Sequence, residues 1–401
     1  MKKQKYKMQE IYQGLYDGPH ATPPVSDSGA IFLGISNITP DGHIDYSDIR
    51  YINESDLPKW TKRVTPKGGD IVFSYEATLN LYAIIPEGFW GCLGRRMALI
   101  RPDESKALGK YLYYYFYSDE WRATIAENTI AGSTVDRIPL AKFPEFRITL
   151  PDLSVQKKIA DTLSVYDNLI DNNEKQIKLL EEAAQRLYKE WFVDLRFPEY
   201  ENCKMVDGLP EGWHKDAVDS KISLLSGYAF KSSDFVDKGQ YKIVTIKNVK
   251  DGDFDGNNVS LIDEIPLKMP QHCVLEEGDI LLSLTGNVGR VCLVYGDNYL
   301  LNQRVAKLKS DIPGFAYCLF RSRDMFDEMN NLANGAAQQN LSPIRTGKVE
   351  VCFPSDDIIQ RFETTVKPMI DQEIELNKMN VVLTEARDRL LPKLMSGEIE
   401  V

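Results

Sequence analysis

Cysteine is scarce in this sequence and shows no clustering. The chain has 6 cysteines among 401 residues, and no two of them form a CxxC pair. Such scattered positions favour free buried thiols over a disulfide framework or a zinc site. The six positions are Cys92, Cys203, Cys273, Cys292, Cys318 and Cys352.

Long apolar runs are also missing. No stretch approaches the roughly 18 apolar residues that a membrane-spanning helix requires. The opening residues 1–14 are partly basic, but no apolar segment follows them as it would in a secretion signal. We therefore expect no membrane segment and a cytoplasmic site of action.

Recognisable catalytic motifs are absent as well. There is no GxxxxGK[ST] phosphate-binding loop, which argues against NTP hydrolysis. Neither an Asn/Asp-Pro-Pro-aromatic tetrapeptide nor an FxGxG segment indicates methyl-group transfer by the chain itself. The histidines lie far apart, without the carboxylate spacing of metal sites, and are expected to be loop or core residues. They are His20, His43, His214 and His272.

Two acidic residues follow glycines at the start of β-like runs. Asp70 follows Gly69, and Asp279 follows Gly278. This position is typical of turn chemistry rather than of a nuclease centre. The sequence therefore offers no catalytic group and no metal site, and we expect the chain to bind no cofactor.

The formal net charge of −11 argues against a polyanionic partner, but its distribution weakens that argument. Residues 151–200 hold 7 basic and 10 acidic residues, and residues 355–401 hold 6 and 10, so these two segments carry −7 of the −11. The remaining chain is near neutral on average and can still present one basic face. Affinity for DNA from this chain alone should be modest, because phosphate neutralisation supplies most non-specific binding.

The chain repeats itself. Residues 132–151 align without a gap with residues 335–354, 203 positions later, and a long helical run follows each segment. Upstream, residues 69–74 resemble residues 278–283, and residues 35–38 resemble residues 246–249. Two similar modules on one chain imply an approximate internal two-fold, which suits a ligand that is itself two-fold or bipartite.

The helical runs have a coiled-coil pattern. Apolar positions recur in steps of three and four from Ile159 to Trp191, with one polar member, Asn173. Ser154 is the expected N-cap. The second run shifts register once near Val381, and Pro368 should kink it or mark its first turn. The predicted seam comprises Ile159, Leu163, Ile170, Asn173, Ile177, Leu180 and Leu187 in the first run, and Ile374, Asn377, Leu383 and Leu390 in the second.

Packing the two seams against each other as an antiparallel pair is the simplest way to bury both. Asn173 and Asn377 lie at similar depths in the two seams. Each is either a tolerated polar residue on a partly exposed face or a buried residue that fixes register at some cost in stability.

The segments between the helices predict mixed α/β globules. Short β-like runs are broken by Gly, Pro, Asn and Asp, and helical stretches such as residues 110–127 and 315–330 follow them. The predicted fold class is α+β: two α/β globules separated by two long helices that form an antiparallel coiled coil, with an internal pseudo-two-fold repeat.

Each β-like run that follows a Gly-Asp pair leads into a polar or basic segment. Arg, Asn and Gln can pair with guanine or adenine edges, while Ser, Thr and Gly backbone amides suit phosphates. Each such residue is, taken alone, more often a solvated loop residue. The candidate DNA-binding residues are Lys62, Arg63, Thr78, Asn80, Arg95 and Arg96 in the first globule, and Thr285, Asn287, Arg290, Asn302, Gln303 and Arg304 in the second. The run from Ala336 to Asn340 has the same ambiguity.

The chain resembles the specificity subunit of type I restriction-modification systems over essentially its whole length, because the same motifs occur in the same order. The similarity is carried by Leu209-Pro210-Glu211-Gly212-Trp213, by the paired Gly-Asp-Ile runs, by Trp191-Phe192-Val193-Asp194 at the end of the first helical run, and by the terminal Leu390 to Ile399.

This resemblance implies a division of labour. Residues 1–150 would be the first target recognition domain, 151–195 the first spacer helix, 196–354 a linker and the second target recognition domain, and 355–401 the second spacer helix. The expected partners are double-stranded DNA, two modification subunits and restriction subunits. S-adenosylmethionine, ATP and Mg²⁺ would be bound by those partner subunits, which methylate adenine or cleave DNA.

The two copies also differ. The first globule lacks the Leu-Pro-x-Gly-Trp opening, and Glu76-Ala77-Thr78 follows its Gly-Asp run where the second globule has Leu284-Thr285-Gly286. In this family each globule reads one half of a split DNA site. We therefore expect the two globules to read half-sites of different sequence, so that the whole DNA target is asymmetric. The competing hypothesis is a coiled-coil scaffold whose globules bind proteins, and such a chain should show no salt-dependent DNA binding. A stand-alone nuclease would need a carboxylate cluster that the sequence does not supply.

Overall fold

The computed structural model describes residues 2–132, 135–333 and 339–401. It divides the chain into two compact units. The first contains Met1–Asn168 together with Thr384–Val401, and the second contains Leu169–Leu383. Each unit thus combines one globule with parts of both long helices.

Three small sheets form the framework of the first unit. The four-stranded sheet is antiparallel, with the strand order Tyr12–Asp17, Met97–Pro102, Ile71–Ser74 and Tyr82–Ile84. A three-stranded sheet has the order Arg50–Ile52, Ala30–Leu33 and Gly91–Leu93, and the last two strands are parallel. A third pairing joins Gln4–Lys7 to Arg147–Leu150.

The second unit repeats these three sheets in the same order. Its four-stranded sheet contains Ile222–Ser226, Val305–Ser310, Ile280–Ser283 and Val291–Leu293. Its three-stranded sheet contains Ser260–Ile262, Tyr241–Val244 and Tyr299–Leu301, and its two-stranded sheet pairs His214–Ala217 with Glu350–Phe353. A short hairpin of Met205–Val206 and Leu209–Pro210 precedes them. The internal repeat therefore extends to strand order and pairing.

The predicted helical stretches over residues 110–127 and 315–330 are confirmed, and each of them consists of two helices. Each run is broken in two, giving Gly109–Phe116 and Asp119–Asn128 in the first globule, and Pro313–Phe320 and Arg323–Leu332 in the second. Ser118 and Ser322 cap the second helix of each pair, because their hydroxyls accept hydrogen bonds from the backbone N–H of Trp121 and Met325 at 3.3 Å. The remaining short α-helices are Leu57–Trp60 and Pro343–Gly347.

The Gly-Asp pairs have the turn role that the sequence indicated. Gly69 and Gly278 both have φ of +85°, a conformation that favours glycine. The Asp70 carboxylate accepts the Lys67 N–H at 2.9 Å, and Asp279 accepts the Glu276 N–H at 2.8 Å. Each carboxylate also pairs with a cation on the neighbouring strand: Arg101 Nη2 lies 2.7 Å from Asp70 Oδ2, and Lys307 Nζ lies 2.6 Å from Asp279 Oδ2.

The first long helix spans Leu153–Tyr188 and continues as a π-helical turn over Lys189–Val193. The expected N-cap at Ser154 was wrong, because the helix begins one residue before it. Asp152 caps the helix instead, since its Oδ1 accepts the Val155 N–H at 3.0 Å and the Ser154 hydroxyl at 2.7 Å.

The second long helix spans Asp356–Ser396 without interruption. Pro368 therefore lies inside the helix and does not mark its first turn. Proline removes one backbone hydrogen bond from the i−4 carbonyl, here that of Thr364. Both residues are exposed, so water can satisfy that carbonyl and the helix continues.

Within each unit the two long helices run antiparallel. In the first unit, Asp167 pairs with Arg387, and Lys158 donates to the carbonyl of Val401. A residue nearer the start of the first helix thus contacts a residue later in the chain, as antiparallel packing requires. In the second unit, the Asn173 amide donates to Asn380 Oδ1 at 2.8 Å. Asn173 is 4% exposed. Asn377 is half-buried, and its amide donates to the Glu373 carbonyl of its own helix at 3.1 Å.

The second helix keeps one register where a shift near Val381 was expected. Burial continues in steps of three and four through polar members that an apolar pattern passes over: Glu373, Leu376, Asn380, Leu383, Arg387, Leu390 and Leu394 are buried or half-buried. Val381 is exposed. Asn380 and Arg387 belong to this series because each has a partner on the first helix, not because they are apolar.

Other predicted seam residues lie in the cores of the globules. Ile159 and Leu163 belong to the first core, with Trp121, Phe143 and Leu394. Ile374 belongs to the second core, with Phe315 and Phe362, and Leu187 packs against it. Ile170 is buried, whereas Ile177, Leu180, Leu383 and Leu390 are half-buried. Each long helix thus helps to complete a globule as well as to face its neighbour.

The predicted fold class is confirmed: two α/β globules with a repeated plan and two long helices that pair as a coiled coil. Among the residues described, no helix is long and apolar enough to cross a membrane.

Candidate nucleic-acid interface

Three loops of the first globule meet at one edge, at residues 75–80, 94–96 and 136–138. Backbone hydrogen bonds hold them together. Tyr75 N–H donates to the Arg96 carbonyl at 3.1 Å, and Ile138 N–H donates to the Tyr75 carbonyl at 2.7 Å. Ala77 N–H donates to the Asp136 carbonyl at 3.0 Å. We call this arrangement the three-loop edge of the first globule.

The second globule has the same edge, at residues 284–290, 302–304 and 339–341. Leu284 N–H donates to the Arg304 carbonyl at 2.9 Å, and Leu341 N–H donates to the Leu284 carbonyl at 2.8 Å. Gly286 N–H donates to the Gln339 carbonyl at 3.0 Å. Each bond matches one in the first globule, so the two edges share a backbone frame.

Left-handed backbone conformations recur at the same positions of both edges. Ala77 has φ of +71° where the second copy has Gly286 at +75°, and Asn80 has +63° where it has Gly289 at +82°. Arg96 also has a positive φ, +69°. Non-glycine residues adopt this region at a cost in energy, and such strain concentrates at functional sites. The loop sequences differ, but the turn that they form is the same.

The structure brings four of the six predicted residues of the first globule to this edge. Thr78 and Arg95 are exposed, while Asn80 and Arg96 are half-buried. Arg96 Nε lies 3.5 Å from Glu76 Oε1. Lys62 and Arg63 come from a separate segment and are exposed, and Arg63 pairs with Asp17 and donates to the Gly18 carbonyl at 3.3 Å.

Tyr75 links the Arg63 segment to the edge. Burial raises the pKa of the Tyr75 hydroxyl, and the charges of Asp17 and Glu76 raise it further, while those of Arg63 and Arg95 lower it. Cations from two segments therefore act on one hydroxyl. The predicted residues of the first globule are rich in guanidinium groups, and the carboxylates of Asp17 and Glu76 partly offset their charge.

In the second globule the predicted residues also line the edge, but they are mostly amides. Asn287, Gln303 and Arg304 are exposed, and Asn302 and Arg290 are half-buried. Backbone and side-chain hydrogen bonds support the frame: Ser283 N–H donates to the Arg290 carbonyl at 2.9 Å, and the side-chain Oδ1 of Asn302 accepts the Arg304 N–H at 3.2 Å.

Thr285 is the exception, because it is only 7% exposed. Its hydroxyl donates to Asn340 Oδ1 at 2.9 Å. Thr285 therefore holds the side chain of Asn340 by this hydrogen bond, and little of its own surface is accessible.

Sequence reasoning missed the third loop of each edge in part. Arg137 of the first globule was not singled out, and of the ambiguous run from Ala336 to Asn340 only Gln339 and Asn340 lie within the described residues. Arg137 and Asn340 are both exposed. The gap-free repeat of residues 132–151 and 335–354 was the available signal, because it aligns these loops.

The described part of the chain holds no group of three or more His, Cys, Asp or Glu side chains that could bind a metal ion. The site consists of cationic side chains and side-chain amides. These are groups that contact phosphates and base edges.

Comparison with protein families agrees with this geometry. The model of the type I restriction modification DNA specificity domain matches residues 27–182 and again residues 210–380. The chain belongs to the family of type I restriction-modification specificity subunits. The two matches correspond to the two copies of the repeat, and proteins of this family recognise DNA sequences.

Two curated relatives cover most of the chain. The type I restriction enzyme MjaIX specificity subunit of Methanocaldococcus jannaschii is 26% identical over 383 residues, covering 91% of this chain and 86% of its own. The type I restriction enzyme HindI specificity subunit of Haemophilus influenzae is 23% identical over 416 residues, covering 86% and 90%. Both are named specificity subunits, which are non-catalytic.

A solved structure has the same fold. The type I restriction-modification S subunit from M. genitalium is similar with a TM-score of 0.57 and 17% identity, covering 98% of this chain and 96% of that one. At this identity the similarity supports the architecture alone.

Proposed function

We propose that this specificity subunit recognises a bipartite, asymmetric DNA site, with one half read by each globule. The observation that carries the proposal is the pair of three-loop edges. They have one backbone frame and different side chains, guanidinium-rich in the first globule and amide-rich in the second. A shared backbone frame that carries different side chains suits two half-sites of different sequence.

The proposed readers are the candidate residues of the two edges. Exposed Arg95 and Arg304 can contact guanine edges or phosphates, whereas exposed Asn287 and Gln303 suit adenine edges. Lys62 and Arg63 are proposed as phosphate contacts that position the first globule. A few bases per half give limited discrimination at about 1–3 kcal/mol per mismatch, and two halves roughly add.

The catalytic steps are proposed to belong to partner subunits. Two modification subunits would methylate adenine with S-adenosylmethionine, and restriction subunits would use ATP and Mg²⁺ to cleave DNA. The specificity subunit would bring them to the site without binding these cofactors. Because its substrate is chromosomal or invading DNA, we place its action in the cytoplasm.

The long helices are proposed as the docking surface and as the spacer between the half-sites. Large apolar side chains on them face solvent: Leu179 is 64% exposed and Val382 is 65% exposed. Exposed apolar patches mark protein interaction sites. A helix of 36 residues is about 54 Å long at ~1.5 Å per residue, enough to set a spacing of about one DNA turn. The proposed recognition domains are residues 1–150 and 196–354, with spacer helices at 151–195 and 355–401.

Selection from random DNA tests the recognition role. The chain would be purified with its host's modification subunits and offered a random duplex pool at several salt concentrations. We expect a split motif with two different halves, and affinity that falls as salt rises because DNA counterions are released. No enriched motif, together with salt-independent retention of DNA, would contradict the proposal and favour the protein-binding scaffold.

A further inference from the structure

Each globule contacts the long helices of its own unit through the first of its two consecutive helices, Gly109–Phe116 in the first globule and Pro313–Phe320 in the second. These helices contain Tyr114 and Tyr317, which are 203 positions apart, the same offset as in the gap-free part of the repeat. Both tyrosines are buried, with 4% and 1% of their surface exposed. The two globules therefore share a buried hydroxyl at one position.

In the first unit, the Tyr114 hydroxyl contacts the first long helix. It donates to Asp167 Oδ2 and lies 3.3 Å from Ser164 Oγ. Asp167 Oδ1 also accepts a hydrogen bond at 2.7 Å from Arg387 Nη1, which belongs to the second long helix. Arg387 is itself buried. One hydroxyl and one carboxylate thus join the globule to both long helices.

In the second unit, the Tyr317 hydroxyl also contacts both long helices. It lies 3.4 Å from Glu181 Oε1 of the first long helix and 3.4 Å from Glu373 Oε1 of the second. Arg321 Nη1 donates to the Tyr317 hydroxyl at 2.9 Å and also to Glu181 Oε1. Both units therefore combine a buried tyrosine of the globule, a carboxylate of a long helix and an arginine.

The same globule helices are also held at their N-terminal ends. Gln156 of the first long helix accepts the Leu108 N–H at 2.9 Å, just before the globule helix begins. In the second unit, the carboxylate of Glu363 on the second long helix accepts the N–H of Gly314 at 3.0 Å and that of Phe315 at 2.7 Å. Gln156 and Glu363 are both buried. Each globule helix is thus attached to a long helix at two points.

Two separate points of attachment fix the direction of a helix, whereas a single point would let it swing. Gln156 and Asp167 are 11 positions apart, which is about 16 Å along a helix at ~1.5 Å per residue. Glu363 and Glu373 are 10 positions apart. Buried polar contacts cost desolvation, and apolar side chains could give equal stability without specifying one arrangement. The polar contacts therefore suit a role in orientation.

The direction of each globule helix also sets that of the three-loop edge. Tyr114 shares its core with Phe73, and residues 75–80 of the edge follow that strand directly. Tyr317 shares its core with Leu282, and residues 284–290 follow that strand. Because packed cores deform little, each globule moves on the long helices as one body.

We infer that Tyr114 and Tyr317 are positioning residues, which hold the recognition edge of each globule in one orientation on the long helices and so make DNA binding depend on the spacing of the half-sites. This inference rests on the proposed DNA recognition. It adds the side chains through which the long helices act as a spacer.

Removing the two hydroxyls tests the inference. The variant Tyr114→Phe with Tyr317→Phe keeps both aromatic rings, and it is purified with the host's modification subunits in parallel with the natural complex. Each complex is offered duplexes that carry both natural half-sites and a spacer of natural length, or of one base pair fewer or more. One base pair moves a half-site by about 3.4 Å and turns it by about 35°.

We expect the natural complex to prefer its own spacer length and the variant to lose about threefold to tenfold of that preference, as for hydrogen bonds of ordinary net strength. The base preference within each half-site should stay unchanged, because neither tyrosine belongs to an edge. A merely structural role would lower the melting temperature without changing the spacer preference.

The matched control is Tyr113→Phe with Tyr295→Phe, which removes two hydroxyls that bond within their own globules. The Tyr113 hydroxyl donates to the Asp41 carbonyl at 3.2 Å. The Tyr295 hydroxyl donates to the Phe254 carbonyl at 2.6 Å. This control should keep the spacer preference of the natural complex.

Glu363→Gln releases the other attachment point of the second globule. An amide offers one acceptor oxygen where the carboxylate offers two, so the N–H of Gly314 or Phe315 loses its partner. This variant should weaken the spacer preference in the same direction. It decides the question if the double tyrosine variant does not fold.

The outcomes distinguish this inference from the function on which it rests. If the natural complex selects no split motif, the proposed function fails. If it selects one but accepts all three spacers equally, or if the tyrosine variant keeps the natural spacer preference, the inference is wrong. It is also wrong if the control loses as much preference, or if the tyrosine variant changes the bases that are selected.

Discussion

At the residue scale, the Asp70 carboxylate joins a turn to the neighbouring strand. It is 2% exposed and meets both Arg101 Nε at 2.8 Å and Arg101 Nη2 at 2.7 Å. Asp70→Asn removes the charge that balances this guanidinium and should cost about 2 kcal/mol of unfolding free energy. Thermal unfolding of the purified chain measures the loss, with exposed Asp27→Asn as the control. Equal melting temperatures for the two variants would refute a stabilising role for the pair.

A second residue-scale prediction concerns pH. Burial, together with the charge of Glu181, raises the pKa of the Glu373 carboxyl to about 8. The charge of Arg321 and the hydrogen bond from Tyr317 lower this pKa and offset part of the rise. The Tyr317 hydroxyl lies 3.4 Å from a carboxylate oxygen of both glutamates. The folded chain therefore retains a proton that the unfolded chain releases near its ordinary value of 4.5. The resulting stability is present below that value and is lost as pH rises towards 8.

Glu373→Gln should remove this loss, because the amide stays neutral at every pH. We expect the free energy of unfolding of this variant, relative to that of the natural chain, to rise steadily from pH 5 to pH 8 by up to about 1.4 kcal/mol per pH unit, and its relative melting temperature to rise with it. Exposed Glu375→Gln serves as the control and should show no such trend. A constant difference between the natural chain and Glu373→Gln across this range would contradict the assignment.

At the element scale, the amide pair of Asn173 and Asn380 joins the two long helices inside the second unit. Asn173→Leu leaves the side-chain Oδ1 of Asn380 without its donor, so this variant should cost about 1 kcal/mol of unfolding free energy. Adding Asn380→Leu removes the unpaired amide and should restore or exceed the natural stability. The neighbouring Asn172 is exposed, so Asn172→Leu is the matched control. If Asn173→Leu unfolds at the same temperature as this control, the pair does not hold the helices together.

The exposed apolar side chains of the helices yield a prediction about assembly. Leu179→Glu and Val382→Glu should leave the melting temperature of the chain nearly unchanged, because both side chains already face solvent. Each should sharply reduce the amount of modification subunit that co-purifies with the chain. Exposed Lys175→Glu is the control. If the modification subunit still co-purifies undiminished with a chain that carries both Leu179→Glu and Val382→Glu, these side chains do not form the docking surface.

Much of the element plan could be predicted from the sequence, since glycine and aspartate mark the same turns in both copies. The apolar pattern misassigned part of the second helix, because Glu373, Asn380 and Arg387 are buried through hydrogen bonds and ion pairs that hydrophobicity does not reveal. The break at Ser118 was missed because a helix cap needs only one hydroxyl. Arg137 was missed because backbone bonds between distant loops bring it to the edge.

At the scale of the whole molecule, duplication explains how a chain of net charge −11 can serve DNA recognition. Two globules with one fold present two different loop edges, and the helices that carry much of the negative charge also complete both cores. Under the proposed function, specificity would come from adding two modest readings, one by each globule. Partner subunits would supply further phosphate contacts and the chemistry.

The most direct test of this account is long-read sequencing of modified adenines in the host genome, with and without the gene for this chain. We predict that its deletion abolishes methylation at one split motif with two unlike halves, and that restoring the gene restores that motif. An unchanged methylation pattern in a host with intact modification genes would contradict the account.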